Sequence, residues 1–116
     1  MDIRRKLQVR PDLFLVAEQD NVVIGTAMVG YDGHRGWIYY LGVDPDCRRM
    51  GVGRALMAEA ERLLRAEGCP KINLQVRSGN GGAIEFYKQI GMVPDDVASF
   101  GLRLEHDTPP ANEPSS

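Results

Sequence analysis

Three short apolar runs, each closed by turn residues, occupy the first part of the chain. Leu13–Ala17 reads Leu-Phe-Leu-Val-Ala, Val22–Gly30 is apolar on either side of an interrupting Gly25, and Trp37–Val43 reads Trp-Ile-Tyr-Tyr-Leu-Gly-Val. Runs of this length, rich in β-branched and aromatic residues, predict strands. Asp20-Asn21 and the segment Tyr31–Gly36 carry turn chemistry between them. The three strands therefore predict an antiparallel meander, which Asp44-Pro45-Asp46 stops.

The period then changes. Val52, Leu56, Ala60 and Leu63, with Ala55 and Leu64, recur at helical spacing, and Arg54, Glu59, Glu61, Arg62 and Arg65 occupy the opposite face. This predicts a helix over Val52–Glu67, ended by Gly68 as a C′ glycine with Pro70 just beyond. Lys71–Arg77 alternates around Ile72, Leu74 and Val76 and predicts a strand. A strand reached through a helix lies parallel to the strand before that helix, here Trp37–Val43. Ser78–Gly82 predicts a loop, Ala83–Ile90 a short helix, and Met92–Leu104 one or two closing strands. Residues 1–104 read as one α/β domain, and 105–116, with Pro109, Pro110 and Pro114, as a disordered tail. No internal repeat is visible.

The chemistry concentrates where the third strand runs into the long helix. Asp46-Cys47-Arg48-Arg49-Met50-Gly51-Val52-Gly53-Arg54 is a basic, glycine-punctuated loop leading into a helix N-terminus. The first N–H groups of a helix have no intrahelical partner, and the dipole favours an anion there. Glycines allow close approach to the backbone, and Arg48, Arg49 and Arg54 add positive charge. The implied ligand carries a phosphate or pyrophosphate. A P-loop requires a Lys after its last glycine, and none follows here. A dinucleotide fingerprint requires a third glycine for helix–strand packing, and Leu56 holds that position.

The remaining pattern, Arg48-x-x-Gly51-x-Gly53, resembles motif A of the GCN5-related N-acetyltransferases (GNAT), which grips the pyrophosphate of acetyl-CoA. A second segment resembles the same family: Asn80-Gly81-Gly82-Ala83-Ile84-Glu85-Phe86-Tyr87-Lys88-Gln89-Ile90-Gly91-Met92 follows its N-x-x-A-x-x-x-Y-x-x-x-G-[FM] helix. Residues 80, 83 and 87 share one helical face. Each residue also has an ordinary reading: Asn80 as an N-cap, Tyr87 as a half-buried amphipathic ring. Two motifs in the family's order, with Asn80 lying 27 residues after Gly53, make a joint coincidence improbable. The wording of Gly30–Trp37 and Gly68–Asn73 is similar to the small bacterial YpeA-like branch.

The resemblance implies a GNAT fold in which two central strands, here Trp37–Val43 and Lys71–Arg77, splay apart at one end. It implies acetyl-CoA as co-substrate, with Arg48, Arg49, Met50, Gly51, Val52, Gly53 and Arg54 around the pyrophosphate. The backbone of Leu41, Gly42 and Val43, with Asn80 and Ala83, would hold the pantetheine arm, and Tyr87 would protonate the departing thiolate. The implied reaction is direct attack of a primary amine on acetyl-CoA in a ternary complex. The family carries a first strand and two helices ahead of its second strand, whereas only Met1–Asp12 precede Leu13. Asp2–Val9 resembles the tail of the second helix. The first strand and first helix would then be missing and Leu13–Ala17 left as a bare apolar edge. That predicts marginal stability or a covering partner, a homodimer being one form.

Composition adds exclusions. With 14 Lys+Arg against 16 Asp+Glu the net charge is −2, which argues against nucleic acid or an anionic membrane as partner. Two cysteines, Cys47 and Cys69, suit a reducing, cytoplasmic setting better than a disulfide scaffold. Cys47 reads as a small half-buried residue rather than a reactive thiol. Only His34 and His106 are present, so no metal site is expected. No signal peptide or apolar run of spanning length is visible.

The acceptor amine is the least legible element. Its deprotonation calls for a base, for which Asp32, His34, Glu18 or water are candidates, although Asp32-Gly33 is also a common turn pair and His34 an ordinary turn histidine. Tyr39 and Tyr40 replace the Glu that many relatives carry on this strand, and strand alternation sends them to opposite faces. Trp37 reads as core. Two readings from other classes stay open: a non-catalytic acyl-CoA-binding or regulatory module, and a subunit of an assembly.

Overall fold

The computed structural model describes residues 1–7 and 13–105. It is a five-stranded mixed sheet with two helices. The strands are β1 (Asp2–Leu7), β2 (Leu13–Gln19), β3 (Val22–Tyr31), β4 (Gly36–Val43) and β5 (Ile72–Leu74), lying side by side in chain order. The first four pair antiparallel, and β5 pairs parallel to β4. The helices are α1 (Val52–Ala66) and α2 (Gly81–Gln89), and a 3₁₀ turn, Pro45–Cys47, joins β4 to α1.

The meander follows its turn signals. Asp20 and Asn21 both take positive φ, 53° and 64°, which is the twist a two-residue hairpin loop requires. Helix α1 buries Val52, Leu56, Met57, Ala60, Leu63 and Leu64 against Leu15, Ala17, Ile24, Ala27, Val29 and Ile38 of the sheet. The apolar stripe is as expected, except that Met57 is buried and Ala55 only half so. The helix ends on Gly68 (φ 82°), whose N–H donates to the Arg65 carbonyl while Cys69 N–H donates to that of Leu64, a complete Schellman arrangement. Gly25 does not interrupt β3. A Cβ there would meet Val52 Cγ1 at 2.8 Å, so this glycine lets the start of α1 approach the sheet.

Both ends of the sheet differ from the sequence reading. Asp2–Leu7 is not the tail of a helix but a strand paired along β2, with Ile3 opposite Ala17 and Arg4 in an ion pair with Glu18. The edge of β2 is therefore covered. An open ladder offers a backbone partner to every second residue, which outweighs a weak helix propensity in a six-residue segment. The outer strand is now charged, as exposed edges usually are.

At the other side β5 is only three residues long, not seven, because β4 diverges beyond Leu74 and leaves 75–77 without a ladder. The closing strands expected over Met92–Leu104 do not form among the described residues. That segment runs beside β5, tied only by side chains: Lys71 Nζ and Asn73 Nδ2 donate to Asp95, and Gln75 Nε2 donates to Ser99 Oγ. Phe100, Leu102 and Leu104 alternate like a strand but remain exposed. The expected tail lies, apart from its first residue, outside the described residues.

Candidate active site at the parting of two strands

Strands β4 and β5 pair only at Gly36–Ile72, Trp37–Asn73 and Ile38–Leu74. Beyond that rung β4 continues to Val43 while β5 ends, so the two central strands part as the family resemblance implies. Among the described residues the backbone of β4 from Tyr39 to Val43 has no ladder partner on its β5 side.

A β-bulge sits at the parting. Met28 of β3 is opposite Tyr40, but the next residue, Val29, is opposite Ile38, leaving Tyr39 as the extra residue. Ile38 and Leu41, three apart, consequently both reach the helix-facing core. Tyr39 and Tyr40 are both 57% exposed. The expectation that alternation sends them to opposite faces fails because the bulge shifts the parity of the strand. Tyr40 then folds over Gly42, where a Cβ would meet its hydroxyl at 2.5 Å.

The loop entering α1 joins an uncapped helix start to three arginines. Arg49 (φ 73°) and Gly51 (φ 79°) take left-handed conformations, and the Met50 N–H between them donates to the Cys47 carbonyl at 3.3 Å. Gly51 is the N-cap of α1 and offers no side chain, and no acidic residue lies in the first turn. The first helical bond is Ala55 N–H to the Gly51 carbonyl, so the N–H groups of Val52, Gly53 and Arg54 are unsatisfied. The other two helical starts are capped, α2 by Asn80 and the 3₁₀ turn by Asp44. Among the described residues Arg48, Arg49 and Arg54 enter no ion pair. Met50 is exposed at the loop tip, and the Val52 side chain is core.

Helix α2 brings the third set of residues. Asn80 Oδ1 accepts from Ala83 N–H at 3.1 Å, so Asn80 is the N-cap, and its amide nitrogen remains for other use. Phe86 packs on Gly53, where a Cβ would lie 3.2 Å from its Cζ, and Tyr87 meets Phe86 edge-on at 5.1 Å. Burial pushes the Tyr87 phenol above its ordinary value near 10, which keeps it protonated as a donor.

The candidate bases are placed less favourably. Asp32 Oδ1 accepts from the N–H groups of His34 and Arg35, both at 2.8 Å, and Oδ2 from Trp37 Nε1 at 3.4 Å. The Arg35 and then the His34 backbone bonds hold its carboxyl below the usual range, which makes it a weak base. Asp32 and His34 also precede the paired end of β4, not the parted end. Glu18 lies on β2, two strands from β4, and is held by Arg4 of β1. Cys47 is half-buried against the core, as expected.

Trp37, expected in the core, is instead half-buried outside the core cluster, and Gln75 and Phe86 carry no role in the sequence reading. Trp37, Ile38, Tyr39 and Gln75 line a recess at the last rung of the ladder, and Phe86 explains the smallness of position 53. Only Phe86, one residue before the motif tyrosine, had a local signal.

Comparison with known proteins fits this geometry. The sequence matches the Acetyltransferase (GNAT) family over residues 2–92. The chain belongs to that family. An acetyltransferase of Pectobacterium atrosepticum is 50% identical over 107 residues, 92% of this chain and 76% of that protein. One of Sodalis glossinidius is 52% identical over 108 residues, with the same coverage of 92% and 76%. Among solved structures, the aminoglycoside N-acetyltransferase AAC(6')-Iy in complex with CoA superposes with a TM-score of 0.79 at 18% identity, covering 88% of this chain and 98% of that one. Ard1 from Thermoplasma volcanium superposes with a TM-score of 0.66 at 37% identity, covering 69% and 55%. This GNAT chain thus has the acyl-CoA N-acyltransferase fold, a mixed sheet whose central strands part.

Proposed function

We propose that this GNAT protein moves an acetyl group from acetyl-CoA to a primary amine by direct attack in a ternary complex. The observation that carries this reading is the parting of β4 from β5 at the end of β4 that leads into the uncapped start of α1. The unsatisfied N–H groups of Val52, Gly53 and Arg54, with Arg48, Arg49 and Arg54 unpaired beside them, suit a pyrophosphate. The β5-facing side of the Leu41, Gly42 and Val43 backbone, unpaired there while its other side pairs with β3, suits the amide-bearing pantetheine arm, and an N–H group on that side polarises the thioester carbonyl. The Asn80 amide nitrogen donates to the same arm, and the small Ala83 lets it lie against α2.

The chemistry balances with the groups present. The neutral amine nitrogen forms a bond to the carbonyl carbon as the carbon–sulfur bond breaks. Tyr87 gives its phenolic proton to the leaving thiolate and recovers one from solvent. The amine proton leaves through water, since Asp32 and His34 precede the paired end of β4 and Glu18 is committed to Arg4.

Calorimetric titration with acetyl-CoA, followed by thiol release across an amine panel, tests this reading. Micromolar binding and amine-dependent release of CoA are expected. Binding without release from any amine would replace catalysis with a binding or regulatory role, and no binding by the folded chain would overturn both.

A further inference from the structure

We propose that the recess of about 450 Å³ at the apex of the strand parting is the acceptor site, and that it takes an amine borne on an aromatic or apolar body rather than a polycation. This rests on the acetyltransferase reading and names its substrate class. The recess is lined by Trp37, Ile38, Tyr39 and Gln75. Ile38 is the last β4 residue paired to β5, Tyr39 is the bulge, and Gln75 follows the last residue of β5. A ligand here sits where the free backbone of β4 begins, beside the segment proposed to hold the thioester.

Its chemistry is aromatic and uncharged. Among the described residues no carboxylate lines it. Two carboxylates bonded to neighbouring side chains are already engaged: Asp32 accepts from Trp37 Nε1 and two backbone N–H groups, and Asp95 accepts from Lys71 and Asn73 at 2.8 Å each. A polycation entering the recess would lose hydration at several charges without gaining a counter-charge from the recess lining itself. An aromatic body gains instead. The Trp37 N–H is committed to Asp32, so the indole offers ring surface, and Tyr39 adds a second ring. Gln75 donates through Nε2 to Ser99 Oγ at 3.0 Å, which leaves Oε1 to accept from the attacking amine. A neutral acceptor suits the neutral amine that the reaction requires. Aminoglycosides, the substrates named for several folds similar to this one, carry several amino groups and suit such a recess poorly.

Trp37 is the only tryptophan of the chain, so its fluorescence reports occupancy of the recess independently of turnover. Emission is titrated with 2-phenylethylamine and with sisomicin, each with and without CoA, and thiol release is measured for both amines with acetyl-CoA. The expected result is a saturable change in emission with 2-phenylethylamine at a Kd at least about tenfold below that for sisomicin, and the same order in kcat/KM. Gln75→Ala should raise KM for 2-phenylethylamine about tenfold and leave the acetyl-CoA Kd unchanged. Preference for sisomicin, or acetylation of 2-phenylethylamine with unaltered emission, would overturn the proposal while leaving the acetyltransferase reading intact. Failure of that reading is distinguishable: emission responds to the aromatic amine, yet acetyl-CoA neither binds nor releases thiol.

Discussion

Phe86 of α2 stands over Gly53 of α1 so closely that a Cβ at position 53 would lie 3.2 Å from Phe86 Cζ and 3.6 Å from Val43 Cγ2. One glycine thus meets the second helix and the end of β4, and it sets the approach of Tyr87, whose ring rests against Phe86. Gly53→Ala gains helix propensity of up to about 1 kcal/mol. Because Phe86 is pinned by Tyr87, overpacking of about 1–3 kcal/mol should win. The expected outcome is a lower Tm and weaker acetyl-CoA binding, measured by thermal denaturation and calorimetry. A raised Tm would mean that Phe86 yields and that packing does not dictate this glycine.

Arg49 separates two properties that usually move together. Its φ of 73° is left-handed, a conformation that costs a non-glycine residue about 1 kcal/mol or more. Arg49→Gly relieves that strain and should raise Tm, yet it removes a positive charge from the anion loop and should weaken acetyl-CoA binding several-fold, more so at low salt. Arg48 is extended at φ −65°, so Arg48→Ala should weaken binding without raising Tm. A lower Tm for Arg49→Gly would remove strain from the account of this loop.

Acid sensitivity should trace to Asp32 and Asp95. Both carboxyls are held below their ordinary value of 3.8, Asp32 by the Arg35 and His34 N–H groups and Asp95 by Lys71. A depressed native value means that the folded state binds its proton later than the unfolded one. The stabilisation is therefore complete above the unfolded value and is lost as pH falls through the native one. Melting curves between neutrality and pH 2 should show Tm falling in the acid range, with a shallower fall in Asp32→Asn and Asp95→Asn. Parallel curves for the variants and the parent would rule these two groups out.

The meander, α1, the parallel crossover and α2 were legible because their signals are local: alternation around Ile72 and Leu74, helical spacing from Val52 to Leu63, and turn residues at Asp20-Asn21. What was not legible depends on which backbone is free to pair. Asp2–Leu7 becomes a strand because β2 offers an edge. Phe100, Leu102 and Leu104 alternate like a strand, yet Pro94 and the Asp95 tether hold the preceding segment beside β5 without a backbone ladder. The site divides in the same way. Arginines and glycines around residue 51 mark a candidate anion loop locally, whereas the bulge at Tyr39 is defined only by its register against Met28 and Val29.

Tyr87 tests the proposed chemistry most directly. Burial raises its pKa above 10, so the phenol carries its proton throughout the physiological range, and a thiolate leaving group is basic enough to take it. Tyr87→Phe keeps the ring contact with Phe86 and removes only the hydroxyl. Acetyl-CoA binding should change less than about threefold while kcat falls by roughly one to three powers of ten. If the hydroxyl is the acid, the parent's kcat should also decline at alkaline pH only above pH 10, as the phenol ionises, and that limb should vanish in the variant. Single-turnover rates with saturating acetyl-CoA, followed by thiol release as a function of pH, separate this from slow product release. An unchanged kcat, or an alkaline limb that persists in Tyr87→Phe, would take the proton-donor role away from Tyr87.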